Sequence, residues 1–117
     1  MSPLTITARD AATGPVLEIT GDLDYETAPE LREAVDGLTV AAGQLLILDL
    51  AGLDFCDSSG ISALLSARSL TLEQGGAMAL AAVPANTGRI LRVTGLDQVF
   101  TMHPDATMAT ARSSPAS

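Results

Sequence analysis

The sequence lacks lysine and tryptophan, and it contains one cysteine, one histidine and only 3% aromatic residues. A single cysteine excludes an intramolecular disulfide. One cysteine, one histidine and scattered carboxylates do not form a metal-ligand set, and no feature indicates a cofactor. Apolar runs are short as well, because none approaches the roughly 20 residues that span a bilayer. Because aromatic residues are so few, the hydrophobic core must be built from aliphatic side chains.

Positive charge is also scarce. Six arginines stand against 14 acidic residues, which gives a formal net charge of −8 at pH 7. Nucleic acids and anionic lipid surfaces attract basic proteins, so we expect neither nucleic acid nor a membrane as a partner. A protein partner with a basic or mixed surface is compatible with this charge. The first residues lack the basic and apolar regions of a secretion signal, so the expected location is the cytoplasm.

The 117 residues, of which 47% are hydrophobic, have the size and composition of one folded domain. We place this domain at residues 1–111. Residues 112–117 form a polar tail rich in serine, which we expect to be disordered.

Segments typical of strands alternate with segments typical of helices. The predicted strands are residues 4–8, 16–20, 45–50, 77–83 and 99–102. The predicted helices begin at a capping box in 27–30, at 57–58 and at an Asn86 N-cap, with a weak final helix in 104–112. The first two strands should be antiparallel, and the alternation that follows predicts a largely parallel sheet centre.

The segment D-F-C-D-S-S-G-I, residues 54–61, lies between an apolar strand pattern and a helical pattern that includes Leu72. We predict a strand-to-helix loop here, a place where function gathers in open α/β sheets. Asp57 or Ser58 can cap the helix. Ser59 falls in the first turn, where its hydroxyl can be phosphorylated, act as a nucleophile or solvate the helix start.

Other polar residues have simpler interpretations. Asp22 and Asp24 follow Gly21 in a predicted loop, where aspartate favours turns; for Asp24 a functional role is equally open. Cys56 should pack as a small hydrophobic residue, and its neighbour Asp57 should raise the thiol pKa. His103 is expected at the surface or in a loop.

Six segments together resemble the STAS family, and within it the small bacterial anti-sigma factor antagonists. They are G-D-L-D at 21–24, T-A-P-E-L at 27–31, L-I-L-D-L at 46–50, D-S-S-G-I at 57–61, G-G at 75–76 and V-T-G-L at 93–96. Their order and spacing cover roughly residues 4–105. The resemblance implies an α/β domain with a mixed β-sheet and helices packed mainly on one face.

The resemblance also implies a binding protein and not an enzyme. In the family, the unphosphorylated antagonist binds an anti-sigma factor that is also an ATP-dependent serine kinase, and this frees a sigma factor. Phosphorylation of the serine before glycine, here Ser59, ends the binding, and a PP2C-type phosphatase restores it. The implied partner-binding residues are Asp22, Asp24, Asp57, Ser58, Ser59 and Gly60.

Three alternatives accompany this hypothesis. The D-S-S-G segment can be a helix cap and no more. A serine hydrolase would need a base for Ser59; only His103 is available, and the G-x-S-x-G motif is absent. A STAS subunit of a transporter or signalling assembly would keep the fold without the switch, although such domains commonly lack the acceptor serine.

Overall fold

A computed structural model gives the structure of the protein and describes residues 3–106. The strands are β1 (Thr5–Ala11), β2 (Gly14–Leu23), β3 (Leu45–Cys56), β4 (Ala77–Ala81) and β5 (Thr101–His103). The helices are α1 (Ala28–Asp36), α2 (Ser58–Glu73) and α3 (Ala85–Val93), followed by a 3-10 turn at Leu96–Gln98.

The sheet has the order β1-β2-β3-β4-β5. Strands β1 and β2 are antiparallel, and the remaining neighbours are parallel. The predicted mixed sheet is confirmed, including the antiparallel first pair. The first part of β3 is buried on both faces, because Leu46 and Leu48 pack in one hydrophobic cluster and Ile47 packs in another, and this explains its continuous apolar sequence.

The larger core lies between the sheet and the helices. Leu46, Leu48 and Leu50 of β3 are fully buried there, together with Leu31 of α1 and Leu64 of α2. A smaller cluster lies on the other face of the sheet and contains Val16, Ile47, Ala81 and Ala106. The prediction that helices pack mainly on one face is therefore confirmed.

Strands β2 and β3 continue well beyond the ends that the sequence suggests. Strand β3 ends at Cys56, so Asp54 and Phe55 are strand residues and not part of a loop. Strand β2 continues through Leu23, so Asp22 is also in a strand. Each extension supports the other, because Leu23 pairs with Cys56 in the sheet.

The prediction that a loop begins after Gly21 is wrong. Gly21 lies inside β2 with φ of +99°, next to a register shift between β2 and β3. The backbone of Pro3 occupies the space where a side chain would be, so glycine is needed at this position for both its conformation and its size.

Several helix predictions also need correction. The N-cap of α3 is Pro84 and not Asn86, which lies inside the helix. Val93 of α3 is 80% exposed, and Leu72, which belongs to the apolar helical pattern of α2, is 46% exposed. Within residues 3–106 no helix combines the length and apolar character that a membrane span requires.

The last part of the chain differs as well. Strand β4 ends at Ala81, before the predicted 83, and β5 begins at Thr101, after the predicted 99. The predicted helix in 104–112 lies mostly outside the described residues. The tail at 112–117 lies wholly outside them, so both stay predictions.

Candidate partner-binding site at the start of helix α2

Asp57 is the single residue between β3 and α2, and it caps the helix. Its extended backbone lets the side-chain Oδ1 accept the amide N–H of Gly60 at 3.0 Å. Its own N–H donates to the carbonyl of Leu23 at 3.3 Å, which ties the helix start to the end of β2. Of the two capping candidates, the structure therefore selects Asp57, and Ser58 is the first residue of α2.

Gly60 brings the first turn of α2 close to the ends of β2 and β3. A Cβ atom at this position would lie 2.6 Å from the carbonyl oxygen of Leu23 and 2.7 Å from Sγ of Cys56. Gly60 is buried and has a negative φ, so glycine is needed here for space and not for conformation. Gly60 therefore shapes the site by having no side chain.

Ser58 and Ser59 have different surroundings although they are neighbours. Ser58 is exposed, whereas Ser59 is half-buried. Ser59 lines an open cleft of about 660 Å³ between the start of α1 and the start of α2, here named the α1–α2 cleft. The lining residues are Tyr25, Glu26, Ala28, Pro29, Arg32, Ser59 and Ser62.

Asp24 organises the loop that leads into this cleft. Its Oδ1 accepts the backbone N–H groups of Glu26 at 3.0 Å and Thr27 at 3.1 Å. Thr27 is the N-cap residue of α1, but its side chain does not form the predicted capping bond, because the hydroxyl donates to the carbonyl of Asp22 at 2.8 Å. The same hydroxyl oxygen accepts the N–H of Asp24 at 2.9 Å. The side chain of Asp24 therefore holds the loop in one conformation.

The structure brings together the two segments that the sequence analysis singled out. Asp22 pairs with Phe55 and Leu23 pairs with Cys56, so the G-D-L-D and D-S-S-G segments meet at one edge of the sheet. In the sequence, Asp24 lies directly before two residues that line the cleft, and Asp57 lies directly before Ser58 and Ser59. The two segments thus lie side by side at the carboxyl ends of β2 and β3.

Sequence reasoning missed two residues that line the α1–α2 cleft, Tyr25 and Arg32. Tyr25 is 79% exposed, which is unusual for one of only three aromatic residues in the chain. Arg32 is exposed on α1, and the face that carries it borders the cleft. The position of α1 beside α2 depends on contacts distant in sequence, which a local pattern does not contain.

Cys56 does not contribute a reactive thiol. It is buried, and burial, followed by the charge of Asp57, raises the thiol pKa from 9.0 to about 12. The nucleophilic thiolate is therefore rare at neutral pH. In the part of the chain that the structure describes, no group of three His, Cys, Asp or Glu side chains is placed to hold a metal ion.

These features define a class of protein: a single mixed α/β domain with a polar surface at the start of its second helix. The chain belongs to the STAS domain family, whose model matches residues 5–111. This membership confirms the prediction that the protein binds partners and does not catalyse a reaction.

Similar proteins and solved structures have names that are more specific than the family name. The chain is 31% identical over 97 residues to the anti-sigma-F factor antagonist RsfB of Mycobacterium tuberculosis, covering 83% of this chain and 79% of the relative. An anti-sigma factor antagonist structure from Mycobacterium paratuberculosis matches with a TM-score of 0.79, at 26% identity and over 91% and 90% of the two chains. The structure of the antagonist SpoIIAA in its unphosphorylated form matches with a TM-score of 0.70 over 93% and 96% of the chains. At 20% identity this last match shows the fold alone.

Proposed function

We propose that the protein is a bacterial anti-sigma factor antagonist switched by phosphorylation of Ser59. In the unphosphorylated form it binds an anti-sigma factor that is also a serine kinase, and a sigma factor is released to act in transcription. The names of the relatives support the antagonist role. The net charge of −8 and the polar surface at the start of α2 suit a protein partner in the cytoplasm.

The placement of Ser59 is the observation that carries the switch. Asp57 and Gly60 fix the first turn of α2, and Ser59 between them lines the open α1–α2 cleft, half-buried but accessible from solvent. In the proposed reaction Oγ of Ser59 forms a bond to the γ-phosphorus of ATP while the bond to the β-phosphate oxygen breaks. ADP leaves, and the hydroxyl proton passes to a base of the kinase.

Phosphate at this position adds about −1.5 to −2 charges and three acceptor oxygens. The domain tolerates this charge, because the first turn of a helix favours negative groups. A docked partner does not tolerate this charge. The phosphate increases the negative charge that Asp22, Asp24 and Asp57 already give the surface, and it must lose its hydration when the partner docks. A PP2C-type phosphatase that removes the phosphate restores binding.

Apart from Asp22, the other proposed partner-binding residues divide into two groups. Ser58 is exposed beside the acceptor and is available for direct contact with the partner. Asp57, Asp24 and Gly60 are used by the protein itself, through the helix cap, the loop hydrogen bonds and the close packing described above. Their contribution to binding is therefore to set the shape and the charge of the surface.

Incubation with candidate anti-sigma kinases and ATP, followed by mass spectrometry of the peptide with Ser58 and Ser59, tests the acceptor. We expect phosphate on Ser59, so Ser59→Ala should abolish labelling. Ser58→Ala is the matched control and should be labelled like the wild type, because it removes the neighbouring hydroxyl alone. Phosphate on Ser58, with Ser59→Ala still labelled, would show that Ser58 is the acceptor.

A further inference from the structure

Arg32 of α1 and Ser59 of α2 line the same cleft, although 26 positions separate them in the sequence. From this juxtaposition we propose that Arg32 binds the phosphate of phosphorylated Ser59 within the same molecule. The inference rests on the proposed function, because it describes what the modified form does with the phosphate group. It assigns to Arg32 a positioning role in the switch.

The charges around the cleft favour this pairing. Arg32 is the basic residue among those that line the cleft, and Glu26 is the acidic one. Within residues 3–106 Arg32 forms no ion pair, whereas Arg9 is paired with Glu18 at 3.2 Å. The guanidinium group is therefore available in the unmodified protein.

The acidic and aromatic side chains near the cleft do not compete with Arg32 for the phosphate. The carboxylate of Asp57 accepts the N–H of Gly60, and that of Asp24 accepts the N–H groups of its own loop. Both carboxylates, together with Glu26, repel an added phosphate and leave Arg32 as its one attractive charge in the cleft. Tyr25 contributes a neutral phenol.

The chemistry of the two groups is well matched. A guanidinium presents its N–H donors in a planar fork that suits phosphate oxygens in a bidentate pair, and such bonds between charged groups are strong. The hydroxyl of Ser62 lines the cleft one turn after Ser59 and offers a further donor. The pair would connect α1 to α2 across the cleft.

This pairing changes how the switch works. Phosphorylation would occupy the cleft and fasten α1 to α2, in addition to placing negative charge on the surface. It would stabilise the domain while removing part of the docking surface. The side chain in Ser59→Asp is shorter than phosphoserine and has only two oxygens. The substitution would therefore imitate the negative charge of the phosphate better than it imitates the contact with Arg32.

The test uses phosphoserine inserted at position 59 during translation, so that no kinase is required. Four proteins are compared: wild type and Arg32→Gln, each with serine or phosphoserine at position 59. In the wild-type background phosphoserine should raise the melting temperature by roughly 2–5 °C more than in Arg32→Gln. Titration followed by ³¹P NMR should give a second phosphate pKa about one unit lower with Arg32 than with glutamine, because the cation favours the dianion.

Two controls make the result specific. Phosphoserine at the exposed position 58, which does not line the cleft, should give the same phosphate pKa in both backgrounds. Unmodified Arg32→Gln should melt near the wild type, because Arg32 is exposed and unpaired in the described structure. Equal phosphate pKa values and equal melting shifts for phosphoserine 59 in both backgrounds would overturn the proposal. Binding of an anti-sigma partner is measured separately, so either proposal can fail while the other stands.

Discussion

The Oδ1 atom of Asp57 accepts the amide N–H of Gly60 at 3.0 Å, and this bond closes the first turn of α2 over Ser58 and Ser59. Because Gly60 has no side chain, the same turn lies directly against Leu23 and Cys56. The two residues together place Ser59 at the edge of the α1–α2 cleft. The position of the proposed phosphate acceptor is thus set by one cap and one close approach of backbone.

The cap predicts a difference between two substitutions of Asp57. Asp57→Ala removes the acceptor for the Gly60 N–H and should lower the free energy of unfolding by about 1 kcal/mol. Asp57→Asn keeps an oxygen acceptor and should lose less than half of that amount. Urea denaturation of the three proteins measures both values. If Asp57→Ala is as stable as the wild type, the carboxylate is not a structural cap.

The two helical glycines, Gly60 and Gly88, should respond to alanine in opposite directions. Gly60→Ala places a Cβ atom 2.6 Å from the carbonyl oxygen of Leu23 and should cost roughly 1–3 kcal/mol of stability. Gly88→Ala meets its nearest neighbour, Arg92, at 3.5 Å and should be neutral or gain up to about 1 kcal/mol from helix propensity. Thermal or urea unfolding compares the two variants. A stable Gly60→Ala protein would show that the first turn of α2 can move away from the sheet.

The loop before α1 allows shape to be separated from charge at Asp24. Asp24→Ala removes the acceptor of two backbone N–H groups and should destabilise the domain by about 1–2 kcal/mol. Asp24→Asn keeps one oxygen acceptor and should fold normally by circular dichroism. If the charge of Asp24 contributes to docking, the asparagine variant should bind the anti-sigma partner more weakly. Binding of Asp24→Asn at wild-type affinity would limit Asp24 to its role in the loop.

Cys56 predicts a loss of stability in alkaline solution. In the unfolded chain its thiol ionises near pH 9.0, whereas burial and Asp57 raise the folded pKa to about 12. The folded state keeps the proton longer, so its stability should fall as the pH rises above 9.0, by up to about 1.4 kcal/mol per pH unit. Cys56→Ala should lack this component, and urea unfolding of both proteins at pH 8 and pH 10 measures it. The same pH dependence in both proteins would mean that the thiol is not protected.

The sequence was sufficient for the element types but not for their limits. The apolar run before Asp54 correctly predicts a buried central strand, because only a strand covered on both faces has that pattern. It does not predict that β3 reaches Cys56. Asp54 is polar and Phe55 is 52% exposed, so neither residue continues the buried apolar pattern. Their strand conformation depends on pairing with β2, where Asp22 is opposite Phe55, and that contact is distant in sequence.

Side-chain roles at the site were ambiguous for a related reason. The T-x-x-E pattern at Thr27 is typical of a capping box. The hydroxyl of Thr27 forms no capping bond, however, and donates to the carbonyl of Asp22 instead. Asp57 and Ser58 are both residue types that favour the N-cap position. In the structure Asp57 is the N-cap, and its N–H donates to the carbonyl of Leu23. Arg32 could not be connected with Ser59 before the packing of α1 against α2 was known. Local patterns therefore indicated the candidate site, and tertiary contacts showed which residues lie around it.

The most direct measurement of the proposed switch is calorimetric titration of the anti-sigma factor from the same genome with four forms of the protein. Unmodified protein and Ser59→Ala should bind with similar affinity, because one hydroxyl contributes little to a protein interface. Ser59→Asp should bind more weakly, and protein with phosphoserine at 59 should bind at least about tenfold more weakly than unmodified protein. Thermal melts should show Ser59→Asp near the wild type, since the helix start tolerates negative charge. Equal affinity of the unmodified and phosphorylated forms would contradict the switch, and a large loss of stability in Ser59→Asp would show that it acts through conformation.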